Sequence, residues 1–264
     1  MAYQPTQWPQ IIAHRGDSGP APENTWLAIE RAIDIGVDMV EVDVRLTKDG
    51  VPVLLHFERL EHTTTGSGLL ADHTWEEIQR LDAGAWKGPE FAGERVPSLE
   101  DVLDLTRGRA PLNLDFQTSD AVAPGVALVR DAGLSADIVI SGCQVECFEI
   151  MAAGKNEITT LLNLDDLPPR TDPAEARAVA RRTIGKASAL GAAGINLHQN
   201  LVDAALVACA READLGVWVF VVDDEGRLGE LIDIGVTAVT TNWPERMLAL
   251  AGNRTSPGTG GSEA

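Results

Sequence analysis

The stretch "MVEVDVRLTKDGVPVLLH", from Met39 to His56, decides the fold of this chain. It holds two apolar runs, Met39–Val44 and Val53–His56, and the link between them carries Asp49-Gly50, a dipeptide typical of tight turns. A parallel crossover needs about a dozen residues or more, and this link is far shorter. The two runs therefore predict a β-hairpin rather than two parallel strands.

Similar apolar runs continue on both sides of the hairpin and alternate with segments of helical periodicity. The other predicted strands are Ile11–His14, Leu112–Phe116, Ile138–Ser141, Thr159–Leu162, Gly194–Leu197, Val217–Val222 and Ala238–Thr241. The predicted helices are Thr25–Ile35, Leu99–Leu105, Ala121–Ala132, Val145–Ala153, Ala174–Ala189, Asp203–Ala213, Arg227–Ile234 and Pro244–Ala251. This alternation predicts a parallel sheet with helices outside, and Val/Ile/Leu-rich runs are typical of strands covered on both faces.

The number of runs indicates a closed barrel. The hairpin takes one of the nine runs out of the parallel series, and the remaining eight fit an α/β fold of the TIM type, a (β/α)8 barrel. An open, doubly wound sheet is the alternative, but no GxGxxG motif follows the first run. The 264 residues suffice for such a barrel as one domain, which takes roughly 200–250 residues.

Two segments fall outside the alternation. The polar, glycine-containing stretch from Phe57 to Pro97 predicts a small insertion lobe after the third run, over one end of the barrel. The stretch from Gly252 to Ala264, "GNRTSPGTGGSEA", predicts a disordered tail, because it cannot bury enough apolar surface to offset its ordering entropy. We therefore expect a single barrel domain over residues 1–251, followed by the tail.

Charge and composition exclude several classes of partner. The chain carries 40 acidic and 21 basic residues, a formal net charge of −19, which repels nucleic acids and anionic membranes. A small anionic substrate would need a local positive site such as a metal ion, although solubility alone also explains the charge. The three cysteines form no CxxC motif and predict buried thiols. No apolar run of 18 residues and no signal-peptide pattern is present, so we expect no membrane span and a cytoplasmic location.

Acidic and amide side chains alternate with apolar ones along two of the predicted strands. Because strand side chains alternate between faces, Glu41 and Asp43 share one face of their strand. Asn113, Asp115 and Gln117 likewise share one face of theirs. The apolar faces suit packing against helices, so the polar faces are predicted to point into the barrel.

Carboxylates inside a barrel need a positive partner. Burying them without one would cost several kcal/mol each. Three carboxylates from two strands suit a hard cation, Mg²⁺ or Ca²⁺, better than zinc. The alternative is a buried salt-bridge layer in which Arg15 or Arg45 supplies the charge.

Two histidines end apolar runs, His14 in the first strand and His56 in the hairpin. Active sites of this barrel type lie at the carboxyl ends of the strands, where two imidazoles can act as a general acid and base near neutral pH. Arg15 follows His14 directly, and arginine suits bidentate recognition of phosphate. A cation, an arginine and two histidines together indicate phosphoester chemistry. His198 also follows a strand and could reach the barrel mouth.

The motifs "AHRG", "PENT" and "EVDVRLTKDGVPVLLH" together resemble those of the glycerophosphodiester phosphodiesterase family. The resemblance continues through "TTTGSG" and "PSLEDVLDL" to "GVWVFVVDDEGRLGELIDIGVTAVTTNWPERM". It covers roughly Ile11 to Ala251, and between Thr118 and Asn200 only the rhythm matches.

The resemblance implies metal-dependent hydrolysis of a glycerophosphodiester to glycerol 3-phosphate and an alcohol. One histidine would deprotonate a nucleophile, either water or a glycerol hydroxyl of the substrate, and the other would protonate the leaving alkoxide. The cofactor would be Mg²⁺ or Ca²⁺. The residues implied are His14 and His56 for catalysis, Glu41, Asp43 and Asp115 for the metal ion, and Arg15, Glu23, Gln117 and Phe220 for the substrate.

Several positions depart from the pattern of the family. A usual His-Asp is here His56-Phe57, and an arginine is replaced by His62. The usual Glu-x-Lys is Asp115-Phe116-Gln117, which shortens one ligand and removes a positive charge from the phosphate site. Further along, a Trp-Thr pair is replaced by Phe220-Val221 and a Thr-Asp pair by Thr241-Asn242.

These departures keep two alternatives open. One is a binding protein on the same scaffold without turnover, since a fold does not guarantee an activity. The other is the same chemistry on another diester such as a lysophospholipid, with Trp75, Trp86 and Phe91 in the lobe contacting a lipid tail. The same aromatic residues could instead pack the lobe onto the barrel.

Overall fold

The computed structural model describes residues 9–142, 145–152, 158–164 and 172–255. The strands are β1 Gln10–Ala13, β2 Met39–Leu46, β3 Pro52–Leu54, β4 Leu112–Phe116, β5 Ile138–Ser141, β6 Thr159–Leu164, β7 Gly194–His198, β8 Gly216–Phe220 and β9 Ala238–Thr241. The helices are α1 Trp26–Ile35, α2 Trp75–Ile78, α3 Leu99–Thr106, α4 Ser119–Asp131, α5 Val145–Ala152, α6 Pro173–Leu190, α7 Ala204–Glu212, α8 Glu225–Ile234 and α9 Pro244–Thr255.

The sheet closes into the predicted barrel. Its strands follow the order β1-β9-β8-β7-β6-β5-β4-β2-β3, and a further pairing of β1 with β2 joins the two ends. All pairs of barrel strands are parallel. Among the described strands β3 alone pairs antiparallel, and its Leu54 lies opposite Val44 of β2. The predicted hairpin and the predicted TIM-type (β/α)8 barrel are therefore both confirmed.

Most predicted boundaries differ from the observed ones by a residue or two, and two differences bear on the site. β1 ends at Ala13 and β3 ends at Leu54, so His14 and His56 lie just beyond their strands rather than inside them. The α1 helix begins at Trp26 because the side chain of Thr25 accepts the backbone N–H of Ala28 and caps the first turn.

The inside of the barrel is divided into an apolar floor and a polar upper layer. The outward side chains of the strands pack against the helices in the main core, as Val40, Val42 and Val44 of β2 do. A separate apolar cluster fills the amino-terminal half of the barrel and consists of Ile12, Met39, Val139, Leu161, Trp218 and Ala238. Polar side chains are therefore confined to the carboxyl ends of the strands.

The insertion after β3 forms a lobe with a small apolar core of its own. Its buried members are Val53, Leu55, Leu60, Leu70, Ile78, Ala83 and Val96. Trp75 packs against this core, whereas Trp86 remains 41% exposed. The lobe is thus attached to the hairpin through Val53 of β3 and through Leu55, which directly follows this strand.

The remaining expectations concern the ends of the chain, the cysteines and membrane spans. The α9 helix continues to Thr255, past the predicted end at Ala251, and the rest of the predicted tail, 256–264, lies outside the described residues. Cys147 is buried and Cys209 is partly buried, while Cys143 lies outside the described residues. In the part of the chain that the structure describes, no helix has the length and apolarity needed to cross a membrane.

Candidate active site

A cavity of about 540 Å³ opens at the carboxyl ends of the barrel strands. The predicted site residues that line it are His14, Arg15, Glu41, Asp43, His56, Asp115, Gln117 and Phe220. Glu23 does not line the cavity but contacts Arg15. The side chains that the sequence placed on several separate strands therefore meet at one mouth of the barrel.

Arg15 is held by three acidic side chains. Its backbone N–H donates to Glu41 Oε2 at 2.7 Å, and its Nη1 donates to Glu23 Oε1 at 2.8 Å. Its Nε lies 2.9 Å from Asp43 Oδ2, but this N–H is not aimed at the oxygen, so the contact is an ion pair rather than a hydrogen bond. The residue takes a left-handed backbone conformation, with φ at 56°. These contacts fix the guanidinium beside the acids.

Arginine thus supplies part of the salt-bridge layer that the sequence left as an alternative to a metal ion. Arg45 does not contribute in the same way, since its Nε donates to the backbone carbonyl of His56 at 2.7 Å. This contact instead fixes the backbone of one of the two predicted catalytic histidines.

Asn24, which was not predicted as a site residue, supports Asp43 from the loop before α1. Its Nδ2 donates to Asp43 Oδ2 at 2.8 Å, and its Oδ1 accepts the backbone N–H of Asp43 at 3.1 Å. Asn24 is buried and has a left-handed φ of 55°, a conformation that asparagine tolerates better than most residues. Its place in "PENT", beside Glu23, was the available signal.

Gln117 stands between two of the predicted metal ligands. Its Nε2 donates to Asp43 Oδ1 at 2.8 Å and to Asp115 Oδ1 at 2.6 Å. Asp43 and Asp115 are register partners on β2 and β4, and Asp115 also accepts from Ser141 Oγ at 2.8 Å. The neutral amide therefore bridges two carboxylates at a position where the family pattern has a lysine.

Glu41, Asp43 and Asp115 form an acidic layer in which the neighbouring carboxylates oppose the charge of Glu41. Burial raises the pKa of Glu41 well above its ordinary value, and the charges of Asp43 and Asp115 raise it further, while Arg15 opposes them. The pKa of Arg15 is lowered by burial but raised more strongly by Asp43, Glu23 and Glu41. The carboxylates thus outnumber the one guanidinium that pairs with them among the described residues.

A hard divalent cation fits this layer by charge and by donor type. Glu41, Asp43 and Asp115 offer carboxylate oxygens, and the buried Oδ1 of Asn113, opposite Glu41 across β2 and β4, accepts no hydrogen bond. Among the described residues, however, no three His, Cys, Asp or Glu side chains stand in an arrangement that could hold a metal ion. The donor types therefore fit the ion but their present arrangement does not, and the Gln117 amide occupies one oxygen each of Asp43 and Asp115.

His14 contacts Asn242, one of the residues that depart from the family pattern. Its Nδ1 lies 2.6 Å from Oδ1 of Asn242, which follows β9. Burial, and then the charge of Arg15, lowers the pKa of His14 to about 4, although Asp43 and the bond to Asn242 act in the opposite direction. The ring is therefore neutral at neutral pH and one of its nitrogens can accept a proton.

His56 has a different environment. Its Nδ1 is buried without a hydrogen-bond partner, and its ring meets Phe57 edge-on with centroids 4.6 Å apart. Phe57 in turn stacks on His62, with ring centroids 4.3 Å apart. The two residues of this loop that differ from the family pattern therefore pack on each other. Burial lowers the pKa of His56, with Asp43 opposing this effect.

On the far side of the mouth, Phe220 at the end of β8 lines the cavity. His198, at the end of β7, meets Phe220 edge-on with centroids 6.2 Å apart. Asn163 and Asn196 add amide groups to the same wall. A ligand that reaches out of the acidic layer on this side would therefore pass the ring of Phe220.

Comparison with known proteins assigns the chain to a family. The model of the glycerophosphoryl diester phosphodiesterase family matches residues 14–246, nearly all of the barrel. The chain belongs to this family. A glycerophosphodiester phosphodiesterase of Bacillus subtilis is 30% identical over 245 residues, which cover 89% of this chain and 83% of that protein.

Two further comparisons are with a relative that matches over a shorter stretch and with a solved structure. Another relative from Bacillus subtilis is 57% identical over 93 residues, which are 35% of this chain and only 38% of that protein. The solved structure of a phosphodiesterase from Oleispira antarctica, in complex with its product sn-glycerol-3-phosphate, superposes with a TM-score of 0.80 and 29% identity. That superposition covers 92% of this chain and 96% of the other.

Proposed function

We propose that this protein hydrolyses glycerophosphodiesters to glycerol 3-phosphate and an alcohol, with a divalent cation as cofactor. The observation that carries the proposal is the meeting of His14, His56 and Arg15 above the acidic layer in one cavity. The family membership and the product named for the Oleispira antarctica relative support the same reaction.

In this proposal His14 is the general base. Its ring is neutral, and the nitrogen that does not face Asn242 is the one left to accept a proton. The proton comes from the nucleophile, which is either water or a hydroxyl of the glycerol moiety. The second route forms a cyclic phosphate that water then opens.

His56 is the general acid that protonates the leaving alkoxide. Its unpartnered Nδ1 indicates that hydrogen bonds within the protein do not complete the environment of this ring. A bound phosphodiester anion would favour the charged imidazole, because an opposite charge nearby stabilises it. Arg15 orients the phosphate, and its ion pairs with Glu23 and Asp43 hold the guanidinium in place before the substrate arrives.

Glu41, Asp43 and Asp115 would hold the cation, and the buried oxygen of Asn113 adds a fourth donor. When bound, the ion supplies positive charge to the phosphoryl oxygens. Gln117, which bridges Asp43 and Asp115, would leave these two carboxylates to the ion and could donate its amide to a phosphate oxygen. Phe220 provides an apolar wall for the rest of the substrate.

Phosphorus NMR of glycerophosphocholine with the protein tests the proposal. With Mg²⁺ or Ca²⁺ the diester signal should be replaced by glycerol 3-phosphate, and a chelator should stop the conversion. The His14→Asn and His56→Asn variants should each turn over roughly 10²–10⁴ times more slowly. The matched control His73→Asn, on a histidine of the insertion lobe that does not line the cavity, should stay close to the wild type.

Two outcomes would contradict the proposal. Binding of glycerophosphocholine without conversion under any of these conditions would show a binding protein. Conversion of a lysophospholipid but not of glycerophosphocholine would show the same chemistry on a different substrate class, for which the exposed Trp86 would become the first residue to vary. The cytoplasmic location stays a prediction.

A further inference from the structure

The side chain of Asn242 lies between His14 and the carboxylate of Asp223. The Nδ2 of Asn242 donates to Asp223 Oδ2 at 2.7 Å, and its backbone N–H donates to Asp223 Oδ1 at 2.8 Å. The hydroxyl of Thr241 donates to the same Oδ1 at 2.9 Å. A carboxylate oxygen can only accept, so this contact decides that the NH₂ end of the amide faces Asp223.

The other end of the amide therefore faces the barrel mouth. Asn242 Oδ1 accepts from Ser18 Oγ at 2.9 Å and lies 2.6 Å from His14 Nδ1. An amide oxygen carries no hydrogen, so the hydrogen of this short contact must be on Nδ1 of His14. The lone pair of the neutral ring is then on Nε2.

We propose that Asp223 is a positioning residue that holds His14 in its Nδ1–H tautomer through Asn242, which makes Nε2 the proton acceptor. This inference rests on the proposed function, in which His14 is the general base. Asp223 follows β8, Asn242 follows β9 and His14 follows β1, and these three strands are neighbours in the barrel. The hydrogen bonds therefore cross three adjacent strand ends.

Asp223 acts through Asn242 because its own side chain does not line the cavity. The amide of Asn242, placed between Asp223 and the ring of His14, has a physical consequence. Its oxygen carries only a partial charge, so it orients the ring of His14 without stabilising the protonated ring as much as a carboxylate would. The arrangement thus favours a neutral imidazole that is already oriented for proton transfer.

The test is the tautomer of His14 in the intact protein, read from two-bond ¹⁵N–¹H correlations of its imidazole, with His14→Asn as the assignment control. The wild type should show a protonated Nδ1 and an unprotonated Nε2. In Asp223→Asn one of the two accepting carboxylate oxygens becomes an NH₂ group, while Thr241 and Asn242 still present three donors. The amide of Asn242 then no longer has a fixed orientation, and the two tautomers of His14 should mix. The turnover number on glycerophosphocholine should fall roughly 10–100-fold with little change in KM.

The reciprocal exchange D223N/N242D provides a rescue. It returns an acceptor to His14 Nδ1, and the carboxylate introduced at position 242 receives a donor from the amide introduced at position 223. The Nδ1–H tautomer and most of the turnover should therefore return. Asn242→Asp alone places two carboxylates against each other and should not reach the turnover number of the double variant. Glu230→Gln, on the exposed side of α8, is the matched charge-removal control and should leave both readouts unchanged.

A wild-type His14 protonated on Nε2 would overturn the inference, and so would an Asp223→Asn variant with an unchanged tautomer and turnover number. The wild-type spectrum, assigned with His14→Asn, tests the tautomer without the Asp223 and Asn242 variants. It also separates the two proposals, because a protein that converts none of the diesters tested would disprove the proposed function while the spectrum still decides the tautomer.

Discussion

Replacing His14 by asparagine should flatten the dependence of stability on pH. The folded protein holds the pKa of His14 at about 4, compared with 6.5 for an exposed histidine. Between pH 6.5 and about 4, the unfolded chain therefore binds a proton at His14 that the folded chain does not bind. The stability linked to His14 is complete above pH 6.5 and is lost as the pH falls toward 4.

The size of the effect follows from the two pKa values. Between pH 7.5 and pH 5.0 the linkage relation gives a loss of about 2 kcal/mol from this one group. The figure is an upper value, because the ring of His14 keeps some contact with the open cavity and solvent screens its charge interactions. His14→Asn, which cannot titrate, should lose about 2 kcal/mol less than the wild type over the same interval.

Urea unfolding of metal-free protein, followed by tryptophan fluorescence at several pH values, measures the difference. All points should stay above the isoelectric point of about 4.5, where the net charge vanishes and association begins. The His198→Asn variant, in which an exposed histidine is lost from the same mouth, should keep the wild-type dependence. Parallel curves for wild type and His14→Asn would refute the reasoning that burial keeps this ring neutral.

Three further predictions concern the acidic layer. Asn24→Ala should lower the free energy of unfolding by about 1–3 kcal/mol in urea titrations, because the buried Asp43 loses the amide that donates to its Oδ2. Gly142→Ala should lower it by about 1–3 kcal/mol, since Gly142 has a φ of 70° and an added Cβ would lie 2.5 Å from Asp115 Oδ1; an unchanged melting temperature would contradict this. Gln117→Leu should destabilise the metal-free protein by about 1–3 kcal/mol and raise its calcium affinity in calorimetry, because Asp43 and Asp115 lose a shared donor; unchanged affinity would count against the bridge.

The barrel could be predicted from the sequence because its signals are local. The link after Met39–Val44 is too short for a crossover, and that single length distinguishes eight barrel strands from nine. The inward direction of Glu41 and Asp43 followed from the alternation of strand side chains, and the observed core confirms that Val40 and Val42 face the helices.

The contacts within the site could not be predicted in the same way. Ser141 and Asp223 lie at a strand end and in a loop whose local patterns give no sign of a partner, and for Asn24 the sequence offers only its place in "PENT". They join the site only because parallel strands bring their carboxyl ends to one edge. The proximity of Asp223, Asn242 and His14 depends on the closure of β1 against β9.

Residue types along the chain by themselves determined that the protein is a parallel barrel with histidines, an arginine and acids at one mouth, since strand periodicity and link length act over a few residues. Only the tertiary structure decided which nitrogen of His14 faces Asn242, which carboxylates share Gln117 and which acids pair with Arg15. Those properties depend on distances of about 3 Å between groups far apart in the chain, and such distances exist only after the barrel has closed.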